Sequence, residues 1–222
     1  MNTETHFHKQ LEGLRMQILE MAAYAERAMR QAADALLRRD AELAEQVIEG
    51  DKVINDMEMR IDEVSLHLLA LDAPMARDLR FITGVRRAII DLERIGDEAV
   101  NIAEKTVFLS RLAQTPRNPQ LEELVEVVLD MLKVAIEGFR EGNVDKATDV
   151  CRMDYRADEL NLRILTKTMD DMVAEITGVR RAVNTILAAR HLERVGDLST
   201  NLAETTIFIV KGLNVMHSCQ KP

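Results

Sequence analysis

The chain of 222 residues lacks tryptophan and has few of the residues that interrupt helices, with nine glycines and four prolines. What replaces them is alanine, leucine, glutamate, arginine and methionine, all helix formers, so the composition predicts an all-α protein. Only two cysteines are present, Cys151 and Cys219. Two form no disulfide framework and match no zinc-ligand spacing, which points to a reducing compartment. A basic surplus is also missing. The net charge of -9 excludes the electrostatic footprint of a non-specific nucleic-acid binder but suits cations or a basic protein partner. No apolar run approaches the ~20 residues that span a bilayer, and MNTETHFHKQ is not a signal peptide. The expectation is a cytoplasmic protein.

Apolar residues recur at helical spacing from about Phe7 to Leu37, through Leu11, Leu14, Ile18, Met21 and Ala25. A break at Arg38-Arg39-Asp40 leads to a second stripe (Val47, Ile54, Met57, Ile61, Val64, Leu68) ending near Leu71. Asp72-Ala73-Pro74 reads as a cap with an early-helix proline, and a third helix is expected from about Met75 to Leu112. TPRNP, Thr115 to Pro119, cannot continue a helix. Beyond it come Leu121 to Phe139, a turn at Glu141-Gly142-Asn143, Val144 to about Ala174, and Thr177 to Lys211.

The pattern predicts six helices in two tandem three-helix bundles related by an internal, pseudo-twofold duplication. The first unit spans 1–114, a proline-flanked hinge 115–119, the second unit 120–213 and a tail 214–222. The duplication is plainest in DLERIGDEAVNIAE (Asp91 to Glu104) and HLERVGDLSTNLAE (His191 to Glu204). Asp51 and Asn55 correspond in the same way to Asp154 and Asp158. One identity is out of register: ITGVRRA occurs at both Ile82 to Ala88 and Ile176 to Ala182.

On a wheel of about 100° per residue, Glu93, Asp97, Asn101 and Glu104 share one narrow strip opposite Leu92, Ile95, Ala99 and Ile102. Glu193, Asp197, Asn201 and Glu204 repeat it. Asp51 with Asn55, and Asp154 with Asp158, sit one turn apart and also oppose their apolar stripe. If neighbouring helices bring these strips together, each repeat presents clustered carboxylate and amide oxygens, the ligand type for magnesium, calcium, manganese or oxygen-bound iron. Like charges one turn apart repel by a few tenths of a kcal/mol, which a cation relieves. Gly96 and Gly196 lie on the buried side, where a mid-helix glycine points to close packing. His191 reads as a polar surface residue, since Asp91 takes its place in the first copy.

A ferritin-like di-iron centre needs inward acids and Glu-x-x-His pairs, and neither copy has them. There is no Gly-rich phosphate loop, GxSxG or Cys/His constellation. A metal-dependent phosphohydrolase needs two ions about 3.5–4 Å apart with an open position, and no base or phosphate cradle accompanies the strips. No enzymatic activity is expected.

The two ordered motif copies, with ARDLRF (Ala76 to Phe81) and AARHLERVGD (Ala188 to Asp197), resemble the signature of the PhoU family of phosphate-transport regulators. The resemblance implies paired three-helix bundles that assemble as homodimers and carry surface metal sites. Carried over by position, the ligands are Glu93 and Asp97 with Asp51 and Asn55, then Glu193 and Asp197 with Asp154 and Asp158. Asn101, Glu104, Asn201 and Glu204 are additional candidates, and zinc joins the possible ions. The resemblance also implies negative regulation of phosphate uptake and signalling. The implied partners are the ATPase subunit of the phosphate ABC transporter and a phosphate-sensing histidine kinase, met at the inner membrane face. An accessory role for another phosphate transporter is the related alternative.

Overall fold

The computed structural model describes residues 2–71, 74–113, 118–174 and 178–215. Among them seven helical segments run in order: α1 (Asn2–Arg38), α2 (Ala41–Gly50), α3 (Lys52–Leu71), α4 (Ala76–Ser110), α5 (Pro119–Glu141), α6 (Val144–Ala174) and α7 (Val179–Lys211). Asp51 separates α2 from α3 but keeps right-handed helical angles (φ -58°, ψ -37°), so the two segments act as one helix of the expected six. The first bundle is α1, α2 with α3, and α4; the second is α5, α6 and α7.

Local chemistry sets the boundaries. Arg39 takes a left-handed backbone (φ 56°), and Asp40 then caps α2 by accepting the Leu43 N–H at 3.0 Å. Asn118 accepts N–H bonds from Gln120 and Leu121 at 3.1 and 3.4 Å, with Pro119 behind it as the first residue of α5. This end of the expected hinge is a helix cap, while 114–117 lies outside the described residues. Gly142 closes α5 in the left-handed region (φ 63°), and Asn143 caps α6 through the N–H groups of Asp145 and Lys146. Pro74 is not the early-helix residue the pattern predicts. It precedes Met75, an extended N-cap (φ -113°, ψ 148°), and α4 begins only at Ala76. The cap expected at Asp72-Ala73 lies outside the described residues.

A single apolar core runs through both bundles, including Ile18 and Met21 of α1, Leu92 and Ile95 of α4, and Leu192 and Val195 of α7. The most extensive interface joins α4 to α7. Partners such as Arg87 over Phe208 and Glu98 with His191 show that these helices run antiparallel, the relation a twofold axis between them imposes. At Gly84 the packing is so close that a Cβ would stand 2.4 Å from Ile209 Cγ1. The out-of-register ITGVRRA therefore occupies unlike places. Its first copy puts Gly84 inside α4, whereas in the second Gly178 is the N-cap of α7 and 176–177 lies outside the described residues. Cys151 is disulfide-bonded, against the expectation of unpaired cysteines: separation along a chain does not report proximity in space. Cys219 lies outside the described residues.

Candidate metal centres on paired helices

In the first bundle α3 and α4 bring the two predicted strips together. Glu93 is held above the usual carboxylate range by burial, then by the charges of Asp97, Glu58 and Asp51. Asp97 is raised by burial and by Asp51 and Glu98. These couplings place Asp51 of the α2–α3 junction beside the α4 strip. Gly96 explains how the helices come so close. A Cβ there would lie 3.0 Å from Ile54 Cδ1 and 3.3 Å from Asp51 Oδ1.

The second bundle repeats the arrangement with α6 and α7. Burial and the charges of Asp158 and Asp197 push Asp154 up to about 6. Glu193 and Asp197 are raised by burial, then by Asp197 and Asp158 respectively. Gly196 is less constrained than Gly96, with Met131 Cε at 3.5 Å as its nearest neighbour.

Several predicted positions depart from the outward strip. Asp154 is only 7% exposed and Glu204 only 5%. Asn201 is half-buried and donates to Asp91 Oδ1 at 3.3 Å, across the two bundles. The wheel failed there because α7 is covered by α4, α5 and α6 together, and α6 by α5 and α7, so a face opposite a helix's own apolar stripe still meets protein. Glu104 is exposed as expected and pairs with Lys105 at 3.6 Å. Asn101 turns to Glu98 Oε2 at 3.3 Å.

The seam between the bundles carries polar residues that the strip reading overlooked. Glu98, 3% exposed, accepts from His191 Nδ1 at 2.6 Å and pairs with Arg194 at 3.0 Å. His191 is thus no surface residue; its side chain is 16% exposed. Burial acts to raise the Glu98 carboxyl, but the His191 hydrogen bond and the Arg194 charge outweigh it and hold the group below its usual range. At Asp91 burial outweighs the Asn201 hydrogen bond and the Arg94 charge and pushes the carboxyl up to about 6. Glu58, another overlooked acid, had a legible signal: it follows Asp51 by seven residues, two helical turns.

The donors suit a hard cation. Asp51 Oδ1 and Asn55 Oδ1 are buried without a hydrogen-bond partner, although Asn55 Nδ2 donates to Asp51 Oδ2 at 2.7 Å. Two orphaned oxygens beside raised carboxyls are groups a cation would satisfy. Among the described residues no group of three acidic, imidazole or thiol side chains already converges as a metal cage.

The PhoU domain model matches residues 18–106 and 121–206, one match in each bundle. The chain belongs to the PhoU family. A phosphate-specific transport system accessory protein PhoU homolog from Pseudomonas aeruginosa is 35% identical over 95% of this chain and 88% of its own length. PhoU of Escherichia coli, named in the same way, is 31% identical over the same shares. The crystal structure of PhoU from Pseudomonas aeruginosa superposes with a TM-score of 0.90 at 35% identity, covering 93% of this chain and all of that one. That of the phosphate transport system regulatory protein PhoU from Streptococcus pneumoniae gives 0.87 at 26% identity, over 94% and 99%. Membership supports a general phosphate-regulatory role and sets the chain among regulatory rather than catalytic proteins.

Proposed function

We propose that this PhoU protein is a cytoplasmic negative regulator of phosphate uptake and of phosphate-responsive signalling. It acts by binding the ATPase subunit of the phosphate ABC transporter and a phosphate-sensing histidine kinase. The observation that carries the reading is the paired, twofold-related carboxylate surface on a chain whose relatives are phosphate-transport accessory proteins. Among the described residues no helix is long and apolar enough to cross a membrane, which agrees with attachment to the inner membrane through partners alone.

Asp51, Asn55, Glu93 and Asp97 would hold metal in the first bundle, and Asp154, Asp158, Glu193 and Asp197 in the second. The cation, when bound, supplies positive charge that neutralises the clustered acids. The chain's own residues do the positioning. Gly96 admits α3 against α4, and Asn55 turns Asp51 through its amide.

Deletion of the gene should raise phosphate uptake and phosphatase expression under phosphate sufficiency, and affinity capture should recover the ATPase subunit or the kinase. Unchanged uptake and expression, with neither partner recovered, would refute the regulator reading. Metal analysis of untagged protein beside Asp97→Ala/Asp197→Ala tests the sites. Equal metal content in both proteins rejects them.

A further inference from the structure

Large apolar side chains on α3 and α6 are exposed in matching register. Met59 and Leu66 are 62% and 47% exposed on α3; Leu162 and Met169 are 62% and 49% exposed on α6. Each pair is separated by seven residues, two turns, and so lies in line along one face. Met59 and Leu162 follow Asn55 and Asp158 by one turn, so each stripe continues directly from a carboxylate site. Burial in the core is ruled out for these positions, since Met57, Ile61 and Leu68 form the inward face of α3. A single exposed leucine needs no explanation. Two exposed pairs at equivalent positions in both repeats do.

Met59 and Leu66 border an open depression of about 330 Å³ along α3, together with Glu58, Asp62 and Glu63. Three of these five residues are acids, and α4 supplies one cation to them, Arg86 to Asp62 at 2.8 Å. Acids around an apolar floor complement a segment with the reverse pattern, apolar anchors flanked by lysine or arginine. We propose that the Met59–Leu66 stripe is the surface on which a partner protein seats a basic amphipathic helix. The net charge of -9 favours the same partner through long-range steering. The equivalent stripe on α6 has Asn161, Leu165 and Thr166 where α3 has Glu58, Asp62 and Glu63, so the acidic seat belongs to α3 alone. This deepens the regulator reading by locating the face that partners meet, and it does not depend on metal occupancy.

The test uses the full chain and two fluorescein-labelled helical peptides with the same leucine stripe, one carrying lysine on its polar face and the other glutamate. Anisotropy titration should show binding of the lysine peptide and not of the glutamate peptide. Met59→Gln/Leu66→Gln should weaken it by roughly tenfold, a size one or two buried apolar anchors supply. Leu213→Gln, an equally exposed leucine (59%) away from both stripes, should leave binding unchanged. Equal binding of both peptides, or equal affinities of stripe and Leu213 variants, overturns the proposal. So does a change of oligomeric state in the stripe variant without loss of peptide binding, which would assign the stripe to a second copy of this chain. If the peptide results hold but affinity capture recovers neither transporter ATPase nor kinase, the regulator reading fails while the docking face stands.

Discussion

Glu98 offers the sharpest test of how the two bundles are joined. Its carboxylate is buried, accepts from His191 Nδ1 at 2.6 Å and pairs with Arg194 at 3.0 Å. Glu98→Ala removes these contacts together with the Asn101 hydrogen bond and leaves the His191 donor orphaned in a half-buried site. Losing one partner of a buried pair destabilises by ~3–5 kcal/mol. Arg194 has a side chain 45% exposed, so solvent screens its share, and we expect about 3 kcal/mol. For a chain of this size each kcal/mol shifts the melting temperature by about 2–4 °C, which gives a fall of roughly 6–12 °C.

Glu98→Gln separates charge from geometry. Its amide oxygen still accepts from His191 Nδ1, so the expected loss is about 1 kcal/mol. A double-mutant cycle with His191→Ala should return a coupling of about 1–2 kcal/mol, because the two groups touch. Urea unfolding and thermal melts followed by circular dichroism measure the wild type, the single variants and the double variant. A melting shift under about 2 °C for Glu98→Ala, or a coupling indistinguishable from zero, would show that the seam is held by apolar packing alone.

The two motif glycines should respond oppositely to alanine. Gly96→Ala meets Ile54 at 3.0 Å and should lose about 1 kcal/mol, with weaker metal retention in the first bundle; Gly196→Ala meets only ordinary contacts and should gain about 0.5–1 kcal/mol, and the reverse order in thermal melts would refute the packing argument. Metal-free protein should become more stable as pH falls from about 7 to 5. Asp91 and Asp154, both raised to about 6, burden the fold while ionised and cease to as they protonate. Glu98 runs the other way: its carboxyl is held low, so its stabilisation is present above the usual carboxylate range and is lost as pH falls below about 4. Melting curves in EDTA across that range, with Asp91→Asn flattening part of the gain, check the signs; a melting temperature that only falls from pH 7 downward contradicts them. Asn118→Ala should lose about 1 kcal/mol through the α5 cap, measurable by urea titration.

Helix number, the inward stripes and the duplication were legible in the sequence because they depend on periodicity and caps, which are local. Ile54, Met57, Ile61 and Leu68 are all buried as their spacing predicts. Glu93 and Asp97 meet Asp51 because adjacent strips on consecutive helices tend to adjoin. What periodicity missed lies where one helix is covered on several sides. Glu204 opposes its own apolar stripe yet is buried, and His191 was judged by the absence of a histidine in the first copy. Its partner, Glu98, is also unmatched in the second copy, where Leu198 stands. Comparing a repeat with itself finds what was kept; the seam was built from what was not.

That divergence follows from the twofold axis. Residues equivalent in sequence do not face each other across an antiparallel pair unless they lie on the axis, so α4 and α7 can diverge at complementary positions without disturbing their own bundles. Asp91 meets Asn201, while His191 meets Glu98. The same freedom acts on the candidate metal sites. The first has Asn55, whose amide already engages Asp51; the second has Asp158, whose charge helps to raise Asp154. The charge around them diverges too: Glu58 adds a fourth acid beside the first site, while Arg190 and Arg194 offset the four acids of the second. Because Asp97 adjoins Glu98 and Glu193 lies between His191 and Arg194, the bridge across the seam ties the α4 ligand strip of one site to the α7 ligand strip of the other. A duplicated fold has in this way become two unequal centres with a physical link between them.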